Sequence, residues 1–260
     1  VNDKDARIYP LGVKAAHLTG YIKTINAEEL EKHKDEEYNE NSIIGKAGLE
    51  KIYEESLRAI DGAEIFIQSK EGEKKTSLIS KEPKDGSDLK LTMDSNMQSL
   101  LYDQLEKDKG LSVAMNPNTG EVLALVSNPA YNPNDFILGM SNDKWNLLNN
   151  DPNKPMYNRF QGTATPGSSF KPITAVIGLD TNKIDPNADK KITGLSWKKS
   201  GSCGNYSVTR VSDYGSPSNL ANALIYSDNI YFAQAALDIG KDTFKDKLNS
   251  FGFSDKIPFE

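Results

Sequence analysis

The spacing of apolar and polar positions changes character near residue 85. Before that point, residues 17–22 are mostly apolar, and residues 27–37 are so rich in charge that they read as a surface helix. Residues 48–58 place apolar side chains at helical spacing and stop near Asp61-Gly62, which predicts an amphipathic helix. Ala63–Gln68 and residues 75–80 flank Lys70-Glu71-Gly72-Glu73 and predict a hairpin. Residues 81–88, which hold Pro83 and Gly86, read as a linker, so the expected domain division is 1–85 and 86–260.

Past the linker, residues 89–93 alternate like a strand, and residues 95–107 predict a helix with Ser95 near its cap. Residues 111–115 and 121–127 are two apolar strands around Asn116-Pro117-Asn118-Thr119-Gly120, a hairpin expected to belong to a central sheet. A short helix is expected over residues 141–148, capped by Ser141. Residues 168–179 are helical in pattern, and Pro172 is tolerated only in a first turn, so this helix must start close to Ser168. Residues 219–226 form a further helical stretch that breaks at Ser227-Asp228-Asn229. It resumes over residues 230–239 and stops at Gly240.

Composition removes several functions. The chain has 260 residues, 37% of them apolar, which is enough for a real core. A net charge of -6, with both signs mixed along the sequence, offers no basic field to nucleic acid. No apolar run reaches the roughly 18 residues of a membrane span. Cys203 is the single cysteine, so no intrachain disulfide can form, and it reads as a small packed or loop residue. His17 and His33 are the only histidines, and no metal-ligand spacing or phosphate-binding glycine motif occurs. No metal and no organic cofactor is expected. A serine enzyme so poor in histidine would need another base, and lysine is the obvious one.

Ser168-Ser169-Phe170-Lys171 follows Pro166-Gly167 and sets a serine and a lysine three positions apart, on one face of a helix. Ser168 at a helix start gains a field that stabilises negative charge, and its own N–H could serve an oxyanion. Lys171 can take the hydroxyl proton only where burial or positive charge lowers its pKa. The same spacing occurs at Ser87/Lys90, Ser141/Lys144 and Ser196/Lys199, so on spacing alone Ser168 reads equally as a helix cap beside a solvated lysine. Ser227-Asp228-Asn229 is the only Ser-x-Asn triplet in the chain. Between two helices it reads either as capping chemistry or as a turn that presents Ser227 and Asn229 to the cleft of Ser168 while Asp228 points elsewhere.

The order of these motifs resembles the class B penicillin-binding proteins, serine D,D-transpeptidases that carry Ser-x-x-Lys, then Ser-x-Asn, then Lys-Ser/Thr-Gly. Further resemblance lies in the run from Met115 to Ser127, in Asn158-Arg159-Phe160, and in Pro166-Gly167 before the serine. Upstream, Arg7-Ile8-Tyr9-Pro10-Leu11-Gly12, His17-Leu18-Thr19-Gly20-Tyr21 and Ile44-Gly45-Lys46-Ala47-Gly48-Leu49-Glu50 resemble the family's pedestal region. In detail the chain is most similar to the low-affinity subgroup of Gram-positive bacteria linked to methicillin resistance.

The resemblance implies an α+β fold: an antiparallel sheet with helices, incomplete at its C-terminal side, preceded by part of a pedestal or dimerisation-type domain. It implies Ser168 as nucleophile, Lys171 as general base, Ser227 as proton relay and Asn229 as anchor of substrate and lysine. The implied partners are the D-Ala-D-Ala end of a peptidoglycan stem peptide, β-lactam antibiotics and the cell-wall synthesis machinery. The implied location is the extracytoplasmic face of the membrane, with an anchoring segment expected upstream of Val1. Lys199-Ser200-Gly201 precedes Ser227, out of the family's order, and reads as a chance match in a polar loop. The third motif and its strand are expected beyond Glu260, which would leave this stretch inactive alone. A non-catalytic cell-wall scaffold and a β-lactam sensor or β-lactamase are the alternative readings.

Overall fold

The computed structural model describes residues 6–200 and 204–256, so Gly201 and Cys203 lie outside the described residues. Contacts divide the chain into two compact units, one up to Gly162 and one from Thr163. The fold is α+β with short antiparallel sheets, in keeping with the expected class.

In the first unit a 3-10 turn, Gly12–Ala15, runs into helix α1 (Ala16–Thr19). Strand β1 (Ile22–Thr24) pairs antiparallel with β2 (Ile43–Gly45), with Ile22 opposite Gly45. Between them lies α2 (Ala27–Lys32), started by a capping box in which the Asn26 side chain and Glu29 satisfy each other's backbone N–H. The expected helix over 27–37 ends early, at Lys32. None of the residues in α2 is buried and residues 34–37 are all charged, so no packing offsets the cost of ordering more turns. The amphipathic stretch at 48–58 is two helices, α3 (Gly48–Ile52) and α4 (Glu54–Leu57), broken where Tyr53 takes φ -106° and ψ 22°.

Strands β3 (Ala63–Gln68) and β4 (Lys74–Lys81) form the expected hairpin, with every side chain exposed. Residues 81–88 do not hang loose. Lys84 and Ile60 exchange two backbone hydrogen bonds of 2.7 and 2.9 Å, and Ser87 N–H donates to Ser56 O at 2.7 Å.

Helix α5 (Ser95–Leu105) is capped by Asp94, whose side chain accepts from Asn96 and Met97 N–H, so the cap is one residue earlier than Ser95. Strands β5 (Gly110–Met115) and β6 (Val122–Asn128) form the hairpin read from the sequence, paired with Val113 opposite Leu125. Residues 89–93 are not a strand. They run past β6 but make only isolated bonds to it: Thr92 Oγ1–H donates to Val122 O at 2.7 Å and Asp94 N–H to Leu123 O at 2.8 Å. The next position along that edge is filled by a side chain. Buried Gln98 accepts from Leu125 N–H and donates to Leu125 O, both at 2.8 Å, and so stands in for a strand residue. Helices α6 (Asn134–Leu138) and α7 (Asn142–Asn150) follow.

The second unit opens with a 3-10 turn, Gly167–Phe170, that passes directly into α8 (Lys171–Asp180). A two-residue ladder joins β7 (Ser196–Trp197) to β8 (Val208–Thr209). Helices α9 (Leu220–Ile225), α10 (Asn229–Ile239) and α11 (Lys241–Ser250) complete it. The core lies where α8, α9 and α10 meet, with Ala175, Ile184, Ile192, Leu220, Ala223, Ile230, Tyr231, Phe232 and Ala235 buried together. Ile230 and Tyr231 are fully buried at the first turn of α10, and each large side chain so placed contributes about 1.5–3 kcal/mol. Their burial fixes the position of the residues just ahead of them, Ser227-Asp228-Asn229.

Candidate active site

Ser168 does not start an α-helix. It sits in the 3-10 turn after Gly167, which takes φ +59°, and α8 begins at Lys171 with Pro172 inside its first turn. Proline there costs no hydrogen bond, because first-turn N–H groups have no helical acceptor. The tight turn leaves Ser168 exposed and carries Lys171 back beneath it, so that Lys171 Nζ lies 3.1 Å from Ser168 Oγ.

The structure brings all four expected residues together. Lys171 Nζ donates to Ser227 O at 2.6 Å and to Asn229 Oδ1 at 2.7 Å, and lies 2.8 Å from Ser227 Oγ. Ser227 Oγ lies 2.9 Å from Ser168 Oγ. The Asn229 amide is oriented from its other end, where Nδ2–H donates to Thr209 O at 2.9 Å. That bond turns Oδ1 toward the lysine.

The four oxygens around Lys171 are of two kinds. Ser227 O and Asn229 Oδ1 can only accept, whereas the two serine hydroxyls can also donate. An uncharged amine spends its two N–H groups on the pure acceptors and keeps its lone pair for a hydroxyl. Burial lowers the pKa of Lys171 from its usual value, against the opposing pull of the Asp228 carboxylate. The arrangement can therefore accept the proton of Ser168, and the Ser227 hydroxyl bridges both groups.

Ser227 reaches this position in a left-handed backbone conformation, φ +51°, uncommon for a residue with a Cβ. Asp228, fully buried, holds it there. One carboxylate oxygen caps α10 by accepting from Ile230 and Tyr231 N–H at 2.8 and 3.1 Å. The other accepts from Arg210 at 2.9 Å and from Tyr214 Oη–H at 2.8 Å. Arg210 and Asp228 side chains are 1% and 0% exposed, and breaking a pair this deeply buried costs about 3–5 kcal/mol. The middle residue of Ser-Asp-Asn thus caps α10, while Ser227 lies against Ser168 and both Ser227 and Asn229 meet Lys171. Arg210, Tyr214 and Thr209 were not legible in the sequence, since the two-residue strand β8 and the irregular residues after it carry no periodicity.

The other Ser-x-x-Lys tetrads have structural explanations. Ser141 Oγ accepts from Lys144 N–H at 3.2 Å as the cap of α7, and Lys144 Nζ pairs with Asp135 at 2.7 Å. Ser196 lies in β7 and Lys199 is exposed just past its end; neither Ser87 nor Lys90 lies in a helix or strand. Among the described residues no group of acidic, histidine or cysteine side chains could hold a metal, and no helix is long and apolar enough to cross a membrane.

Residues 1–91 match the penicillin-binding protein dimerisation domain and residues 110–260 the penicillin-binding protein transpeptidase domain. The chain is 50% identical over 255 residues to penicillin-binding protein 3 of Bacillus subtilis, covering 98% of this chain and 38% of that protein. It is 33% identical to the peptidoglycan D,D-transpeptidase MrdA of Acinetobacter baumannii, covering 96% of this chain and 37% of that one. The solved complex between penicillin-binding protein 2 and MreC from Helicobacter pylori superposes with a TM-score of 0.83 at 29% identity, over 97% of this chain and 46% of that one. The chain therefore spans well under half the length of these curated relatives. With a transpeptidase match over more than half its residues and a dimerisation match ahead of it, the chain belongs to the class B penicillin-binding protein transpeptidase family.

Proposed function

We propose that the protein carrying this chain is a peptidoglycan D,D-transpeptidase that works through a Ser168 acyl-enzyme. The observation that carries the reading is the Lys171 amine 3.1 Å from Ser168 Oγ, with carbonyl acceptors on its other side. Ser168 Oγ attacks the carbonyl of the penultimate D-Ala of a stem peptide while its proton passes to Lys171 Nζ. The C–N bond then breaks, the leaving D-Ala nitrogen takes its proton through Ser227 Oγ, and the acyl group stays on Ser168. An amine of a neighbouring strand attacks the ester, forms the new amide and returns Ser168 to its hydroxyl. Asn229 holds Lys171 and meets the substrate amide with its remaining N–H, and Ser168 N–H supplies one oxyanion donor. β-Lactams acylate the same serine, because their strained amide stands in for the D-Ala-D-Ala bond.

The relatives' names support the substrate class, and the Helicobacter complex supports a partner such as MreC; the enzyme is placed on the extracytoplasmic face of the membrane, where its substrate lies. The pedestal portion is assigned to 1–85 and the transpeptidase portion to 86–260. The finer placement in the low-affinity, methicillin-resistance-type subgroup rests on sequence resemblance alone. Efficient acylation at low penicillin concentration would remove it.

Labelling of the full-length protein with fluorescent penicillin tests the main reading. A stable adduct on the peptide containing Ser168, lost in Ser168→Ala, is the expected result. No labelling points to a non-catalytic scaffold, and rapid release of hydrolysed penicillin points to a β-lactamase.

A further inference from the structure

Behind the Ser-Asp-Asn turn, two adjacent residues, at and just past the end of β8, hold its middle and last members. Thr209 O fixes the amide of Asn229, and the next residue, Arg210, reaches Asp228 with one guanidinium nitrogen at 2.9 Å. Three more of its donors are committed as well. Its Nε–H donates to Gly194 O at 2.8 Å, and its other terminal nitrogen donates to Asp213 at 2.7 Å and Ile192 O at 3.3 Å. Arg210 N–H donates to Leu195 O at 3.1 Å, which anchors its backbone just ahead of β7. A five-donor fork locked on this many acceptors has one orientation available.

We propose that Arg210 is a positioning residue for the active site: it locks the Ser227-Asp228-Asn229 turn from behind and cancels the charge of the Asp228 carboxylate beneath Lys171. This rests on the reading of Lys171 as the general base. Asp228 is the charged neighbour whose field favours the protonated, useless form of Lys171. The other titratable groups on elements packed against α8 are engaged elsewhere. Tyr226 stacks on Tyr214 at 4.5 Å, while Asp238 pairs with Lys190 at 2.5 Å and the Tyr231 ring lies 5.5 Å from the same lysine. Asp213 faces Arg210, and Tyr214 donates its hydroxyl to Asp228. Without Arg210, Asp228 keeps three donors, Tyr214 Oη–H and two backbone N–H groups, but loses the guanidinium that offsets its charge. The field at Lys171 would then hold its proton to higher pH.

The test is a titration of the Lys171 ε-carbon by NMR in full-length protein with ¹³C-labelled lysine, the resonance assigned by its loss in Lys171→Arg. It is run beside the pH profile of penicillin acylation. Arg210→Met should raise the Lys171 midpoint by roughly one unit and slow acylation at neutral pH by about tenfold. Asp228→Asn should lower the midpoint. Arg210→Lys keeps the charge but not the fork, so it should leave the midpoint within a few tenths of a unit while slowing acylation at every pH. Equal midpoints in Arg210→Met, Asp228→Asn and the unaltered protein would overturn the proposal, as would a moved midpoint in Arg210→Lys. Should Arg210→Met fail to fold, Asp228→Asn and Arg210→Lys decide by the same criteria. If the unaltered protein takes up no penicillin, the transpeptidase reading fails, while the lysine titration still decides this one.

Discussion

Half-buried Lys171 and buried His17 are both bases whose protons the fold disfavours, and they bear on different properties. For Lys171 the effect is on chemistry: the proposed general base would work only uncharged, so acylation should rise as pH climbs through a midpoint that burial has lowered. Lys171→Arg keeps size and charge but puts a group in place that cannot release its proton at any working pH. Acylation by penicillin, followed by stopped-flow or gel labelling, should fall by about 10²–10⁴-fold with the melting temperature nearly unchanged. His17 affects stability instead. It lies buried edge-on to Tyr131, ring centroids 5.2 Å apart, and burial lowers its pKa from 6.5 to about 4. Between those values the unfolded chain takes up a proton that the folded chain refuses. Its contribution to stability is thus complete above pH 6.5 and is lost as pH falls toward 4. At 1.36 kcal/mol per unit the full loss is on the order of 3 kcal/mol. The urea midpoint should drop more steeply between pH 7 and 4.5 in the unaltered protein than in His17→Gln; parallel curves would reject this account.

Among the elements, close backbone contacts decide more than propensity does. Gly20, at φ +76° after α1, lies so near the start of α3 that an added Cβ would sit 1.7 Å from Ala47 O, and one added at Gly48 would sit 2.6 Å from Gly20 N. The two glycines let α1 and α3 meet backbone to backbone. Gly20→Ala must move one helix and also strain its own backbone, a loss of more than about 2 kcal/mol. Amide hydrogen exchange should then show lost protection in α1 and α3; unchanged protection there would count against the close approach. Elements were legible where a local rule sufficed. The hairpins at β3–β4 and β5–β6 follow from alternation around turn residues, and the Ser141 cap follows from its side chain. The expected strand at 89–93 failed because the edge of β6 it would have joined is occupied by Gln98, a residue from the following helix. The charged helix stopped short because nothing apolar lay along it past Leu30 to bury.

For the whole molecule, exposed apolar surface bears on stability. Leu111, Val113 and Met115 on β5 are 43–55% exposed, and Ile65, Ile67, Leu78 and Ile79 on the β3–β4 hairpin 51–66%. Among the described residues β5 has one neighbouring strand, so its other edge is unpaired. The isolated 260 residues should therefore bind a hydrophobic dye such as ANS and melt broadly; a sharp two-state transition from a dye-silent state would refute this. What the sequence determined by itself was local chemistry: the hairpins, the serine and lysine one turn apart, and the order of the two motifs that marks the family. Tertiary structure decided which Ser-x-x-Lys mattered, because only folding brings Ser227 and Asn229 onto Lys171, across a gap no periodicity spans. It also decided how they are held. Burial of Ile230 and Tyr231 sets the turn, and a buried Arg210–Asp228 pair, formed from residues with no shared pattern, fixes its backbone and its charge.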